Sequence, residues 1–88
     1  MKMRAVLFEA NAFKAYLAWS RADRAVFAKL NELLLEATRD PFHGKGKPEP
    51  LKSNWSGYWS RRITEEHRLI YKVDDEKITV ISCFGHYA

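Results

Sequence analysis

A single cysteine, Cys83, leaves this chain with neither a disulfide framework nor a cysteine-based zinc site. Long apolar runs are missing too. The stretch from Ala5 to Phe8 is too short for a signal peptide or a membrane span, so a soluble, cytoplasmic protein with no membrane partner is expected. The three histidines, His43, His67 and His86, fall into no metal-binding spacing, and no acidic cluster suits magnesium. Nucleophile signatures of the Ser/His/Asp or Cys/His kind are absent, and neither metal nor cofactor is expected. Glycine and proline are scarce, four and three in number, and five of these seven residues lie between positions 41 and 50. With 88 residues there is room for one domain, residues 1–88. A domain of that size buries roughly 60–65% of its unfolded surface, so little stability is to spare and self-association would help.

What the chain does have is enough apolar material to fold: 47% of residues are hydrophobic and 14% aromatic. Met3 to Phe8 reads as a short strand. From Glu9 the period changes, with Phe13, Tyr16, Leu17 and Trp19 at helical spacing, all expected in the core. Ser20 with Asp23 three residues later predicts a capping box opening a second helix. That helix carries Val26, Leu30, Leu33 and Ala37 on one stripe, widened by Phe27 and Leu34. A connection this short makes an antiparallel helical hairpin, and its apolar face needs a sheet to cover. After Thr38 the breakers of residues 41–50 mark a loop. From Gly57 the period becomes two, predicting strands over 58–63, 67–73 and 77–83 with acidic turns at 64–66 and 74–76. The expected fold is therefore α+β: strand–helix–helix–three strands, a helical hairpin packed on a small antiparallel sheet.

The net charge of +4 is not evenly spread. Between Arg39 and Lys72 stand eight basic residues against four acidic ones, while the remainder carries seven of each. Aromatic residues interleave there: Phe42, Trp55, Tyr58, Trp59 and Tyr71. Phosphates favour lysine and arginine, and exposed bases favour stacking, so this segment suits a polyanion; it suits a solvated face equally well. Within it, Pro48 and Pro50 hold Glu49 on a stiff, extended backbone with Lys47 and Lys52 close by in sequence. Such a carboxylate can take a proton while lysines hold a phosphate, or it can be an ordinary salt-bridged surface group. Arg68 falls mid-strand, where its planar fork needs a carboxylate (Glu65 or Glu66), an anion or solvent. Arg61 and Arg62 alternate to opposite faces, so at most one joins Arg68. His86 can trade protons near neutral pH, if the last strand holds a chain end that would otherwise fray. One carboxylate, one arginine, one histidine and several lysines compose a kit for cleaving RNA without a metal.

The run Pro41-Phe42-His43-Gly44-Lys45-Gly46-Lys47-Pro48-Glu49-Pro50-Leu51-Lys52, then Ser56-Gly57 and Trp59 to Leu69, and the closing His86-Tyr87 resemble the YoeB (Txe) toxins of the RelE/ParE superfamily. The resemblance covers most of the chain and is dense from residue 41 to 71. It implies a RelE-like, microbial-RNase-like fold and ribosome-dependent endonucleolytic cleavage of mRNA in the A site, inhibiting translation. By motif it implies Glu49 as general base, Arg68 as transition-state arginine, His86 as general acid and Tyr87 as a positioning tyrosine. Lys47, Lys52, Arg61 and Arg62 would hold RNA phosphates. It further implies a homodimer, a YefM/Phd-type antitoxin with an acidic segment, and operator DNA bound by the toxin–antitoxin pair. The superfamily's ParE branch offers a non-enzymatic alternative, the poisoning of DNA gyrase by binding, and operator binding alone offers a third. Two departures stand out: Phe84-Gly85 replaces larger residues before His86, and Ala88 follows Tyr87. Glycine at 85 is expected to loosen the backbone that carries His86.

Overall fold

In a computed structural model, residues 3–86 are described, and they form two helices packed on one face of a five-stranded sheet. Strand β1 (Ala5–Phe8) is followed by helices α1 (Ala10–Ala22) and α2 (Arg24–Arg39). Two-residue strand β2 (Glu49–Pro50), a 3-10 turn (Ser53–Trp55), and strands β3 (Tyr58–Arg62), β4 (Arg68–Val73) and β5 (Lys77–Ser82) complete the chain. The sheet order is β1-β5-β4-β3-β2.

The expected element order holds, with two differences in the sheet. Glu49–Pro50 adds an edge strand antiparallel to β3, pairing Glu49 with Ser60 and Pro50 with Trp59. Proline is tolerated at such an edge because its missing N–H faces no partner. The sheet is also mixed rather than antiparallel, because β1 runs parallel to β5. A parallel pair needs a crossover connection, and here the helical hairpin lies between the two strands in sequence.

A capping box at Ser20 does not form. Helix α1 continues through Ser20, whose hydroxyl donates back to the Leu17 carbonyl at 2.5 Å. Asp23 alone joins the helices and caps α2, its carboxylate accepting from the N–H groups of Ala25 and Val26 at 3.1 Å each. A carboxylate meets the free amides of a helix start better than a serine three residues earlier could.

The core lies between the helices and the sheet, where Leu30, Leu33, Leu34 and Ala37 of α2 and Trp19 of α1 meet Leu69, Tyr71, Ile78 and Val80. Phe13 and Leu17 depart from expectation, being 46% and 40% exposed. A 13-residue helix turns about 100° per residue, so a stripe that wide cannot all face one sheet. Among the described residues no helix is long and apolar enough to cross a membrane.

Candidate active site

Antiparallel register fixes which side chains share a face, since directly opposed residues point the same way. Glu49 opposes Ser60, Ser60 opposes Ile70, and Arg62 opposes Arg68. Residues two apart along a strand share a face, so Glu49, Tyr58, Ser60, Arg62, Arg68 and Lys72 all belong to the face the helices leave uncovered. The opposite face carries Trp59, Arg61, Leu69 and Tyr71 against the helices. β2 and β4 are two strands apart, roughly 10 Å. Two long side chains reaching inward can contact one phosphate across that gap.

Arg68 is half-buried, and its fork is divided. Its Nη1 donates to the carbonyls of Thr64 at 2.7 Å and Glu65 at 3.1 Å, and more weakly to that of His67. These acceptors belong to the 64–67 turn, not to the carboxylates of Glu65 or Glu66. Nε and Nη2 meet no protein acceptor among the described residues. Nη1 is thus anchored, and Nε and Nη2, unengaged among the described residues, are left to meet an anion.

Glu49 is exposed at the mouth of an open hollow of about 550 Å³ formed by residues 49–55. Lys52 lines the same hollow, and Lys47 stands two residues before Glu49 with φ at +51°. Among the described residues, no carboxylate forms an ion pair with Lys47, Lys52, Arg62 or Arg68, and no base pairs with Glu49. Lys45 differs, because its ammonium is taken by Glu32 at 2.6 Å.

Arg61 is not available to RNA, which corrects its expected phosphate-holding role. It is fully buried, and its five N–H groups are all used. Nε donates to the Tyr71 hydroxyl at 2.9 Å, and Nη1 to Glu36 Oε1 at 2.8 Å and the Lys45 carbonyl at 3.1 Å. Nη2 donates to the carbonyls of Asp40 at 2.7 Å and His43 at 2.9 Å. The Tyr71 hydroxyl donates in turn to the Pro41 carbonyl at 2.6 Å, and burial pushes its phenol up from the ordinary value. The Lys45 amide donates to Glu36, which together with Arg61 holds that carboxyl below the usual range. Arg61 thus fastens the 40–45 loop to the sheet, just ahead of the segment that presents Lys47 and Glu49. Tyr71 belongs to the core as well, so of the interleaved aromatics only Phe42, Trp55, Tyr58 and Trp59 keep exposed area.

Past β5 the chain carries Cys83, buried among apolar neighbours, its thiol pushed up to about 11 by burial. His86 follows, exposed, three residues later. Gly85 connects to β4 directly: the Arg68 N–H donates to its carbonyl at 2.9 Å. The expected loosening at Gly85 is therefore not found, because its peptide groups are held on both sides; the His67 ring accepts from its N–H at 2.8 Å. Tyr87 lies outside the described residues. Linear spacing gave no sign that Trp19, His67 or Glu36 support this region. The only hint was that His67 alternates with Leu69 and Tyr71 onto the helix side. Among the described residues no group of three or more His, Cys, Asp or Glu could hold a metal ion.

Residues 8–87 match the family model described as YoeB-like toxin of bacterial type II toxin-antitoxin system. A protein named toxin YoeB from Escherichia coli K12 is 49% identical over 82 residues, covering 93% of this chain and 98% of the relative. The YoeB/ParE toxin from Agrobacterium tumefaciens has a TM-score of 0.91 at 44% identity, covering 94% and 99% of the two chains. A toxin chain from the heterotetrameric YoeB-YefM toxin-antitoxin complex of Staphylococcus aureus has a TM-score of 0.87 at 46% identity, covering 96% and 98%.

Proposed function

This chain belongs to the YoeB family of toxins from bacterial type II toxin–antitoxin systems, and from that membership and the open face of its sheet we propose that it is a ribosome-dependent, metal-independent endoribonuclease that cleaves mRNA in the A site. The observation that carries the reading is the common placement of Glu49, Arg62 and Arg68 on the uncovered face, with Nε and Nη2 of Arg68 unengaged among the described residues. Glu49 takes the proton of a ribose 2′-OH, and the oxygen attacks the adjacent phosphorus in line. Arg68 and Lys52, with Lys47 and Arg62, meet the charge that builds on the phosphoryl oxygens. The P–O5′ bond breaks as His86 protonates the departing oxygen, leaving a 2′,3′-cyclic phosphate and a 5′-OH. Tyr87 helps to position substrate or acid. Acid and base are each worth roughly 10²–10⁴ in rate.

The same basic face suits an acidic inhibitor. The S. aureus relative assembles with YefM, and a further S. aureus structure is of a YoeB dimer. This chain accordingly pairs with a YefM/Phd-type antitoxin whose acidic segment covers Lys52 and Arg62, forms a homodimer, and binds operator DNA as the complex.

Cleavage of mRNA on programmed 70S ribosomes tests the reaction with wild type, Glu49→Gln, Arg68→Ala and His86→Ala. Each variant is expected to lose roughly 10²-fold or more, and wild-type products are expected to end in a cyclic phosphate. Equal rates in all four proteins, or products without that end, would remove the reading. Inhibition of gyrase supercoiling by all four would favour a ParE-type binder instead.

A further inference from the structure

The segment that leads to His86 has left the sheet, since β5 ends at Ser82, yet each of its residues is gripped. The Trp19 indole N–H donates to the Cys83 carbonyl at 2.9 Å. The Phe84 ring is 62% exposed but rests against two rings, Trp19 at 5.7 Å and His67 at 4.8 Å between centroids. Trp19 meets His67 edge-on at 4.8 Å and 77°, which fixes the plane of the imidazole. That imidazole then accepts the Gly85 N–H on Nδ1 at 2.8 Å, while the neighbouring Arg68 N–H holds the Gly85 carbonyl at 2.9 Å. Arg68, the first residue of β4, and His67 immediately before it therefore clamp both peptide groups of the residue before His86.

The clamp has a chemical requirement. An imidazole accepts at Nδ1 only when that nitrogen is bare, so the ring is neutral with its proton on Nε2. It also has a conformational consequence. Gly85 sits at φ +75°, in the left-handed region, where its backbone has wells of comparable depth to move into. Among the described residues, and apart from its own chain neighbours, no atom lies within 4 Å of where a Cβ would stand, so packing by them does not hold the glycine there. The hydrogen bonds do. Rotation at Gly85 would swing His86 as a unit, and a misplacement of about 1 Å can cost about 10²-fold in rate.

We propose that His67 is a positioning residue for the reaction: its Nδ1 holds the Gly85 peptide and so sets the place from which His86 delivers its proton. The proposal rests on the reading of His86 as the general acid. His67 touches no substrate and makes or breaks no bond. Its effect is confined to the departure of the 5′ oxygen.

That confinement gives a test that simple loss of stability cannot imitate. An mRNA with one 5′-bridging sulfur at the scissile linkage breaks P–S instead of P–O, and a thiolate leaves without a proton because thiols ionise near pH 8.5. Single-turnover cleavage on programmed 70S ribosomes is compared for oxygen and sulfur linkages in wild type, His67→Phe, His67→Asn and His86→Ala. His67→Phe keeps a ring against Trp19 and Phe84 but has no acceptor. It is expected to lose about 10²-fold on oxygen and to recover to within about tenfold of wild type on sulfur. His67→Asn offers its amide oxygen near the Nδ1 position and is expected to keep most of the oxygen rate. His86→Ala is expected to be rescued by sulfur as well. A His67→Phe protein that matches wild type on oxygen, or that is equally impaired on both linkages, overturns the proposal. Failure of sulfur to rescue His86→Ala overturns the acid assignment itself, and the proposal with it. Thermal melting identifies any variant that does not fold; the two His67 variants carry opposite expectations, so either one decides. Should neither fold, the nitrogen shifts of the wild-type His67 ring decide, since a protonated Nδ1 is incompatible with the clamp.

Discussion

Arg61 uses all five of its N–H groups inside the protein, and four of their five acceptors belong to residues 36–45. A buried guanidinium is tolerable only when every donor is paired, and the planar fork makes that possible where an ammonium could not. Glu36 supplies the one carboxylate, and it is also the acceptor of the Lys45 amide. The Lys45 N–H first, and the Arg61 guanidinium after it, hold the Glu36 carboxyl below its ordinary value of 4.5. A carboxyl depressed in the folded state contributes stability that is complete above its unfolded value and is lost as pH falls through the folded one. Urea midpoints measured from pH 7 downward should therefore fall below about pH 4.5. In Glu36→Gln the protein should be less stable at neutral pH and the acid limb shallower. Some slope remains in the variant, because Asp74 is lowered to about 2, chiefly by the N–H groups of Glu76 and Lys77, and Asp40 and Glu32 are lowered as well.

At the scale of elements, one residue decides how the helical hairpin turns. Asp23 closes α1 with its own N–H, which donates to the Trp19 carbonyl at 3.2 Å, and opens α2 with its carboxylate. Asp23→Ala is expected to cost about 1 kcal/mol in urea unfolding, the usual value of an N-cap, whereas Ser20→Ala should be close to neutral. Helix α1 matters to the site through Trp19, which reaches the Cys83 carbonyl, so its placement is felt at the far end of the chain. Strand β2 is only two residues long, and Pro48 and Pro50 restrict Glu49 to the extended backbone that lets it pair with Ser60. The entry into strand β4 contributes twice: Arg68, its first residue, faces the open side, and His67, just before it, holds the segment ahead of His86.

For the molecule as a whole, the helices occupy one face of the sheet and the surplus positive charge is displayed on and beside the other. Four cations of that region, Lys47, Lys52, Arg62 and Arg68, have neither an ion-pair partner nor a ring contact among the described residues; Lys72 has no ion pair either but stands over the Tyr58 ring at 5.9 Å, whereas Arg61 and Lys45 are internally committed. Binding of a single-stranded RNA by Glu49→Gln should weaken with salt at a log–log slope near −3, about −0.7 for each of four phosphate contacts. Lys52→Ala should lower the slope by about 0.7. Titrations between 50 and 300 mM salt check the count, and a slope near −4 or steeper would mean that more cations contribute than these four.

The order of helices and long strands was legible in the sequence because periodicity is a local property: 3.6-residue spacing through Leu30, Leu33 and Ala37, and alternation through Leu69 and Tyr71. The stiff presentation of Glu49 was legible too, since proline constrains its neighbour without help from the rest of the fold. Residue pattern points to Ser20 rather than Asp23 as the cap, because a pattern of residue types does not say where one helix stops when a single residue separates it from the next. The burial of Arg61 could not be seen at all. Alternation separated Arg61 from Arg62, but which face the helices would cover is set by long-range packing, and that choice turned one arginine into a structural tie and left the other exposed. Gly85 makes the same point at the chain end. By itself a glycine is permissive, so the sequence determined only that the backbone before His86 could adopt many conformations. The tertiary structure decided which one, because the groups that grip it, the Arg68 N–H and the His67 ring, lie 17 and 18 residues away and meet it only when β4 and β5 pair.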